Sequence, residues 1–238
     1  GRGLAHFDSI ADENVVALCD CWERNLTDAA KRFPNAKTYV DWRKCLEQKD
    51  IDAVVVSTTE HTHAPISITA MRRGKHVYCE KPLAHSVCEA RLMRETAKQM
   101  KVATQMGTQI HATDNYRRVV ELVQSGAIGP VREAHVWVDQ AIEGPVERPQ
   151  ETVPVPPNLH WDLWLGPAPF RPYHPCYFTK RSLSWQNWWD FGNGALGDMG
   201  SHTIDLAFWA LELQAPTTVE AEGPLPVRAE TYPDHLIV

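Results

Sequence analysis

The sequence predicts an α/β protein in two regions, and three observations carry that reading. Short apolar, β-branched runs recur through the first 110 residues, including VVALCD (15–20), DAVVVST (52–58) and HVYCE (76–80). Amphipathic helical patterns separate them, as in βαβ units built on a parallel sheet. Beyond residue 110 the pattern changes to one alternating run followed by a stretch dense in proline and tryptophan.

Taken in order, LAHFDSIA (4–11) suits a helix with Leu4, Phe7 and Ile10 on one face. VVALCD ends in an acid, as a buried parallel strand does at the edge of its sheet. Asn25 to Phe33 reads as a helix stopped by Pro34, and Asp41 as the N-cap of WRKCLEQK. DAVVVST is a second strand. Pro65 is expected to open a helix that runs to Arg73 and stops at Gly74. HVYCE is a strand, Ser86 caps a helix to about Met100, and VATQMGTQ (102–109) is a strand. Right-handed crossovers place all C-terminal strand ends on one edge. Residues 114–125 form one more helix, ended by Gly126. PVREAHVWVDQ (130–140) alternates like a strand with one covered face. Residues 145–175 hold nine of the 17 prolines, and five of nine tryptophans lie between 161 and 189. Such a stretch is too apolar for disorder and reads as an ordered excursion packed on the second region. DMGSHTIDLAFWAL (198–211) is a helix, TVEAEG (218–223) a strand, and HLIV (235–238) part of another.

Composition narrows the function classes. The apolar fraction is 43%, the charged fraction 23% and the net charge −6. No block of Lys and Arg suggests a nucleic-acid surface, and no apolar run is long enough for a membrane span. Six cysteines in a chain of this length read as reduced thiols.

Three constellations carry chemistry. GRG at 1–3 precedes a predicted helix, so Gly1 and Gly3 resemble the end of a dinucleotide-binding glycine loop. Asp20 ends the next strand, about where an acid binds the adenosine ribose hydroxyls, which predicts NAD over NADP. In STTEHTH (57–63), His61 and His63 read as a pair of solvated loop histidines. A zinc site would need two further ligands, and Cys19 and Cys21 cannot both face one metal from a strand, so no metal is expected. Asp198 and His202 lie one turn apart on one helix face, where a carboxylate can orient an imidazole; Asp205 is a second possible partner. YCEKPLAHS (78–86) ends a buried strand with Glu80 and Lys81 and then locks the backbone with Pro82. Strand ends of this kind are where α/β ligands sit.

These residues resemble the glucose–fructose oxidoreductase/inositol dehydrogenase/rhizopine catabolism (Gfo/Idh/MocA) family. The resemblance rests on C-E-K-P-L at 79–83 after a T-x-x-H-x-H loop, GTQ at 107–109, GAIGPV at 126–131 and G-x-L-x-D-x-G-x-H at 194–202. It implies an N-terminal Rossmann domain (1–109) and a C-terminal α/β substrate and oligomerisation domain (110–238) with a mostly antiparallel open sheet. It implies a fragment lacking the first strand and the C-terminal end. It implies hydride transfer between NAD and a secondary alcohol of a sugar or cyclitol, a homo-oligomer joined through the C-terminal sheet, and a cytoplasmic setting, with export of the intact protein left open. By resemblance Lys81, Asp198 and His202 are catalytic, with His202 as base, Asp198 orienting it and Lys81 stabilising the alkoxide. Glu80, Thr58, His63 and Gln109 then line the cofactor, and the bond before Pro82 is often cis. The family's usual proline after Thr58 is replaced by Thr59, which leaves the loop's shape open. Trp161, Trp164, Trp185, Trp188 and Trp189 are candidates to stack on sugar, with core packing the favoured alternative. Two other functions stay open: an NAD-dependent glycosidase working by transient oxidation, and a non-catalytic NAD sensor.

Overall fold

The computed structural model describes residues 2–139, 146–178 and 184–238. Five strands and eight α-helices alternate through it. They begin with α1 (Arg2–Ala5), β1 (Ala17–Cys19), α2 (Glu23–Arg32), β2 (Lys37–Tyr39) and α3 (Trp42–Cys45). β3 (Ala53–Val56), α4 (Glu60–Arg72), β4 (His76–Glu80), α5 (Val87–Met100) and β5 (Thr104–Gly107) follow. The second region holds α6 (Asp114–Gln124), α7 (Trp161–Leu165) and α8 (Gly194–Ala210).

Among the described residues all ladders are parallel. β1 pairs with β2, and β4 lies between β3 and β5. The two groups are separate sheets. β4 is central because it pairs with a strand on each edge, and its face carrying Val77 and Cys79 joins Val56, Ala64, Ile66, Met71 and Met93 in one apolar core. The polar tripeptide of β2 (KTY) carries no strand signal of its own and is held by pairing with β1.

Local signals placed some ends to the residue. Asp41 accepts from Arg43 N at the start of α3. Ser86 and Glu89 form a reciprocal capping box at the start of α5, with Glu89 N to Ser86 Oγ at 3.2 Å and Ser86 N to Glu89 Oε2 at 3.0 Å. Ser86→Ala is therefore expected to destabilise the domain by about 1 kcal/mol. Urea unfolding checks this: the midpoint should fall at unchanged slope, and an unchanged midpoint would remove the cap's role.

Other elements depart from expectation. The first helix ends at Ala5, and residues 6–12 form turns, with His6 edge-on to Tyr78 and Phe7 edge-on to Phe33. α4 starts at Glu60, not Pro65, and Pro65 sits inside it. Thr59 takes φ −76° and ψ 149°, within proline's range, so the loop keeps its shape without the proline. α8 begins at Gly194, four residues earlier than expected. Residues 130–139 form no ladder, and Trp137 is 81% exposed. Alternation prepares a strand, but only a hydrogen-bonded neighbour makes one. The antiparallel sheet of the second region is represented among the described residues by isolated bridges. One of them, Glu222–Ile237, joins the two runs expected as C-terminal strands.

The second core is aromatic. Trp161, Trp164, Tyr173, Tyr177, Trp188 and Phe191 pack around Arg171, whose guanidinium carbon lies 4.7 Å from the Phe191 ring centre and 5.6 Å from those of Tyr177 and Trp188. Trp161, Trp164 and Trp188 are thus core residues rather than sugar platforms. Trp189 is partly exposed and packs against Tyr232.

Candidate active site

The site grows from the C-terminal edge of the β3–β4–β5 sheet. Pairing sets Glu80, the last residue of β4, beside Gly107 at the end of β5. The approach is so close that a Cβ on Gly107 would lie 2.9 Å from the Glu80 carboxylate, so any larger residue there would push that carboxylate aside. Glu80 is buried and accepts from Arg2 Nε at 3.2 Å. His6 Nε2 lies 2.9 Å away without hydrogen-bond geometry. The predicted strand-end acid is thereby held by the segment that follows Gly1, a residue outside those described. Gly3 faces Ser57 just past β3, where a Cβ would sit at van der Waals distance.

The Lys81–Pro82 bond is cis, as the resemblance implies. Lys81 Nζ forms an ion pair with Asp198 Oδ1 and also donates to Asp198 O at 3.3 Å. The side chains are 15% and 2% exposed, so this pair joins the two regions in a largely dry setting. Two further contacts brace the same junction. Asn193, at the start of α8, donates to Ala84 O and His85 O, both at 3.3 Å, and a His85 ring nitrogen lies 2.8 Å from Trp189 O.

His202 lies one turn beyond Asp198, as predicted, but the expected orienting hydrogen bond does not form. Asp198 is taken by Lys81, and the buried His202 Nδ1 has no partner among the described residues. Asp205 is not its partner either, because it binds His111 Nδ1 at 2.8 Å. Burial, and then the Lys81 charge, hold the His202 pKa below the usual histidine range. His202 is therefore a neutral imidazole near neutral pH, with a free ring nitrogen.

The remaining predicted residues divide. Asp20 stands at the end of β1, but its oxygens already accept from Trp22 N (2.8 Å) and Asn25 Nδ2 (2.9 Å). Burial outweighs these bonds and raises its pKa, and each oxygen keeps a lone pair for a ribose hydroxyl. Thr58 is exposed at the strand edge and accepts from Thr62 Oγ1 at 2.7 Å. His61 and His63 are not solvated loop residues: both lie buried in α4 with each ring nitrogen against a backbone carbonyl. His63 spans Thr58 O and Pro82 O, which makes it a brace between the two strand-end loops rather than a cofactor-facing group. Gln109 is exposed in a short 3₁₀ turn.

Three residues near the site escaped sequence reasoning. Ser57 Oγ and Thr108 Oγ1, just past β3 and β5, are buried hydroxyls without partners among the described residues. Glu60 is buried at the start of α4, and burial pushes its pKa up to about 7. An acid at a helix N-terminus ordinarily signals a solvated, dipole-matched residue, so no local pattern marks it as buried.

Comparison with known proteins agrees with this geometry. Residues 3–108 match the family model described as "Oxidoreductase family, NAD-binding Rossmann fold", and residues 133–230 match "Oxidoreductase family, C-terminal alpha/beta domain". The chain is 28% identical over 180 residues to a levoglucosan dehydrogenase of Pseudarthrobacter phenanthrenivorans, covering 76% of this chain and 38% of that one. It is 30% identical over 144 residues to a glycosyl hydrolase family 109 protein of Shewanella sp., covering 54% and 30%. A scyllo-inositol dehydrogenase structure from Lactobacillus casei, with bound NAD(H) and scyllo-inositol, superposes with a TM-score of 0.50 at 27% identity, covering 54% and 40%. The chain thus spans less than half the length of these relatives.

Proposed function

Because the chain belongs to the Gfo/Idh/MocA oxidoreductase family and carries its NAD-binding Rossmann domain, we propose that the full protein oxidises a secondary alcohol of a sugar or cyclitol. The observation that carries this reading is the buried Lys81–Asp198 pair with neutral His202 one turn away. A carbinol carbon releases hydride only as its hydroxyl proton leaves. His202, a neutral imidazole, accepts that proton. The Lys81 ammonium stabilises the developing alkoxide, and Asp198 holds the ammonium in place rather than orienting His202. NAD supplies the hydride acceptor. Asp20, Gly3, Ser57, Thr58, Thr108 and Glu80 would hold it along the strand edge. The repulsion between Asp20 and a 2′-phosphate favours NAD over NADP. Domain limits at 1–109 and 110–238, and assembly through the second region, belong to the same proposal.

The glycosidase relative keeps a second reading in view, because transient oxidation would use the same groups. The two differ in balance. A dehydrogenase accumulates one NADH per product. A redox glycosidase regenerates its cofactor, releases free sugar and exchanges the proton next to the transient ketone. The full-length protein, incubated with NAD and a panel of sugars, cyclitols and glycosides in D2O, is expected to yield stoichiometric NADH and no solvent deuterium in the product. Release of aglycone with deuterium in the sugar and no net NADH would overturn the first reading.

A further inference from the structure

A contact that the catalytic scheme does not use ties the start of α4 to the segment that leads into α8. Trp185 Nε1 donates to Glu60 Oε2 at 2.5 Å, and Gln186 Nε2 donates to Glu60 Oε1 at 2.9 Å. The next residue of α4, His61, places its ring nitrogens 3.2 Å from Phe191 O and 3.1 Å from Trp164 O. Between these two holds the chain doubles back so tightly that a Cβ on Gly192 would lie 2.2 Å from Gln186 Cα. Asn193 follows and bonds to the backbone beyond Pro82, and α8 then carries Asp198 and His202. An unbroken series of contacts therefore runs from Glu60 through residues 185–193 to the first turns of the helix that meets Lys81.

Helix-dipole stabilisation alone does not require Glu60 to be buried, since an exposed acid serves as well. A buried carboxylate is tolerable only with donors of its own, and Trp185 and Gln186 supply them. The geometry points to Glu60 as a positioning residue: by holding Trp185 and Gln186 against α4 it sets the seat of α8, and hence the placement of Asp198 against Lys81. The catalytic part of this inference rests on the proposed roles of Lys81 and Asp198.

The test uses the full-length protein and compares Glu60→Leu, which removes both acceptors, with Glu60→Gln, which keeps one. Amide exchange over residues 184–200 is expected to rise about tenfold or more in Glu60→Leu while that of α5 is unchanged. NAD affinity should stay within about twofold, and kcat should fall at least about tenfold, because a misplacement of about 1 Å has that scale of effect. Glu60→Gln should recover part of both changes. Trp185→Phe, which removes only the donor, should raise exchange over the same residues and carries the test if Glu60→Leu fails to fold. Unchanged exchange over 184–200 in these variants would overturn the inference, as would loss of NAD affinity in step with kcat. Raised exchange in a protein that turns over no alcohol would uphold the contact and its seating of α8, and would instead refute the proposed function.

Discussion

Lys81→Met in the full-length protein is expected to lower kcat by about 10²–10⁴-fold while NAD affinity changes by less than about twofold. The ammonium is the cation nearest the carboxylate of Asp198, and both are largely dry. A charge in such a setting acts on a developing alkoxide far more strongly than one in water. Methionine keeps most of the volume and removes the charge. It leaves the Asp198 carboxylate buried without its partner, so the variant also loses stability, and Asp198→Asn combined with Lys81→Met relieves that second effect. Isothermal titration with NAD, thermal unfolding and steady-state kinetics on the same preparations separate the contributions. Retained turnover, or NAD affinity lost in step with activity, would refute the substrate-side role of Lys81.

Arg171→Ala is expected to destabilise the second region by about 2–5 kcal/mol, the scale for truncating a large buried side chain. Arg171 is 2% exposed, forms an ion pair with Asp190, and shares Glu230 with Arg148. Its Nε and Nη1 have no oxygen partner among the described residues, and the guanidinium instead packs over three aromatic rings. Truncation therefore takes the cation from Asp190, whose side chain is partly exposed, and opens a cavity under Tyr177, Trp188 and Phe191. Arg171→Lys should recover only part of the loss, since an ammonium keeps the charge but not the planar stacking. Urea unfolding followed by tryptophan fluorescence reads this region directly. A loss below about 1 kcal/mol, the scale of an exposed ion pair, would show that the aromatic cluster holds without its cation.

What could be read from the sequence alone depended on interactions between near neighbours. The Ser86–Glu89 capping box, the Asp41 cap and the stop at Gly126 are settled within a few residues, so their positions followed from the letters. β4 was legible because its apolar run is bounded on both sides, and the EKP and D-x-x-x-H motifs carried the family. Partner choice was not legible. Spacing put Asp198 within reach of His202, and nothing local distinguishes that pairing from one with Lys81, 117 residues away in sequence. The desolvated ammonium wins because a full charge opposite a buried carboxylate is a stronger interaction than a hydrogen bond to a neutral imidazole. His61 and His63 looked like solvated loop residues, and only their burial in α4 showed their ring nitrogens against carbonyls. Residues 130–139 carry a strand's alternation without a strand, since a ladder needs a second segment that periodicity cannot supply. Local chemistry in the sequence determined the helix ends, the central strand and the family. The tertiary structure alone decided which charges meet, because long-range burial, not spacing, sets the strength of an ion pair.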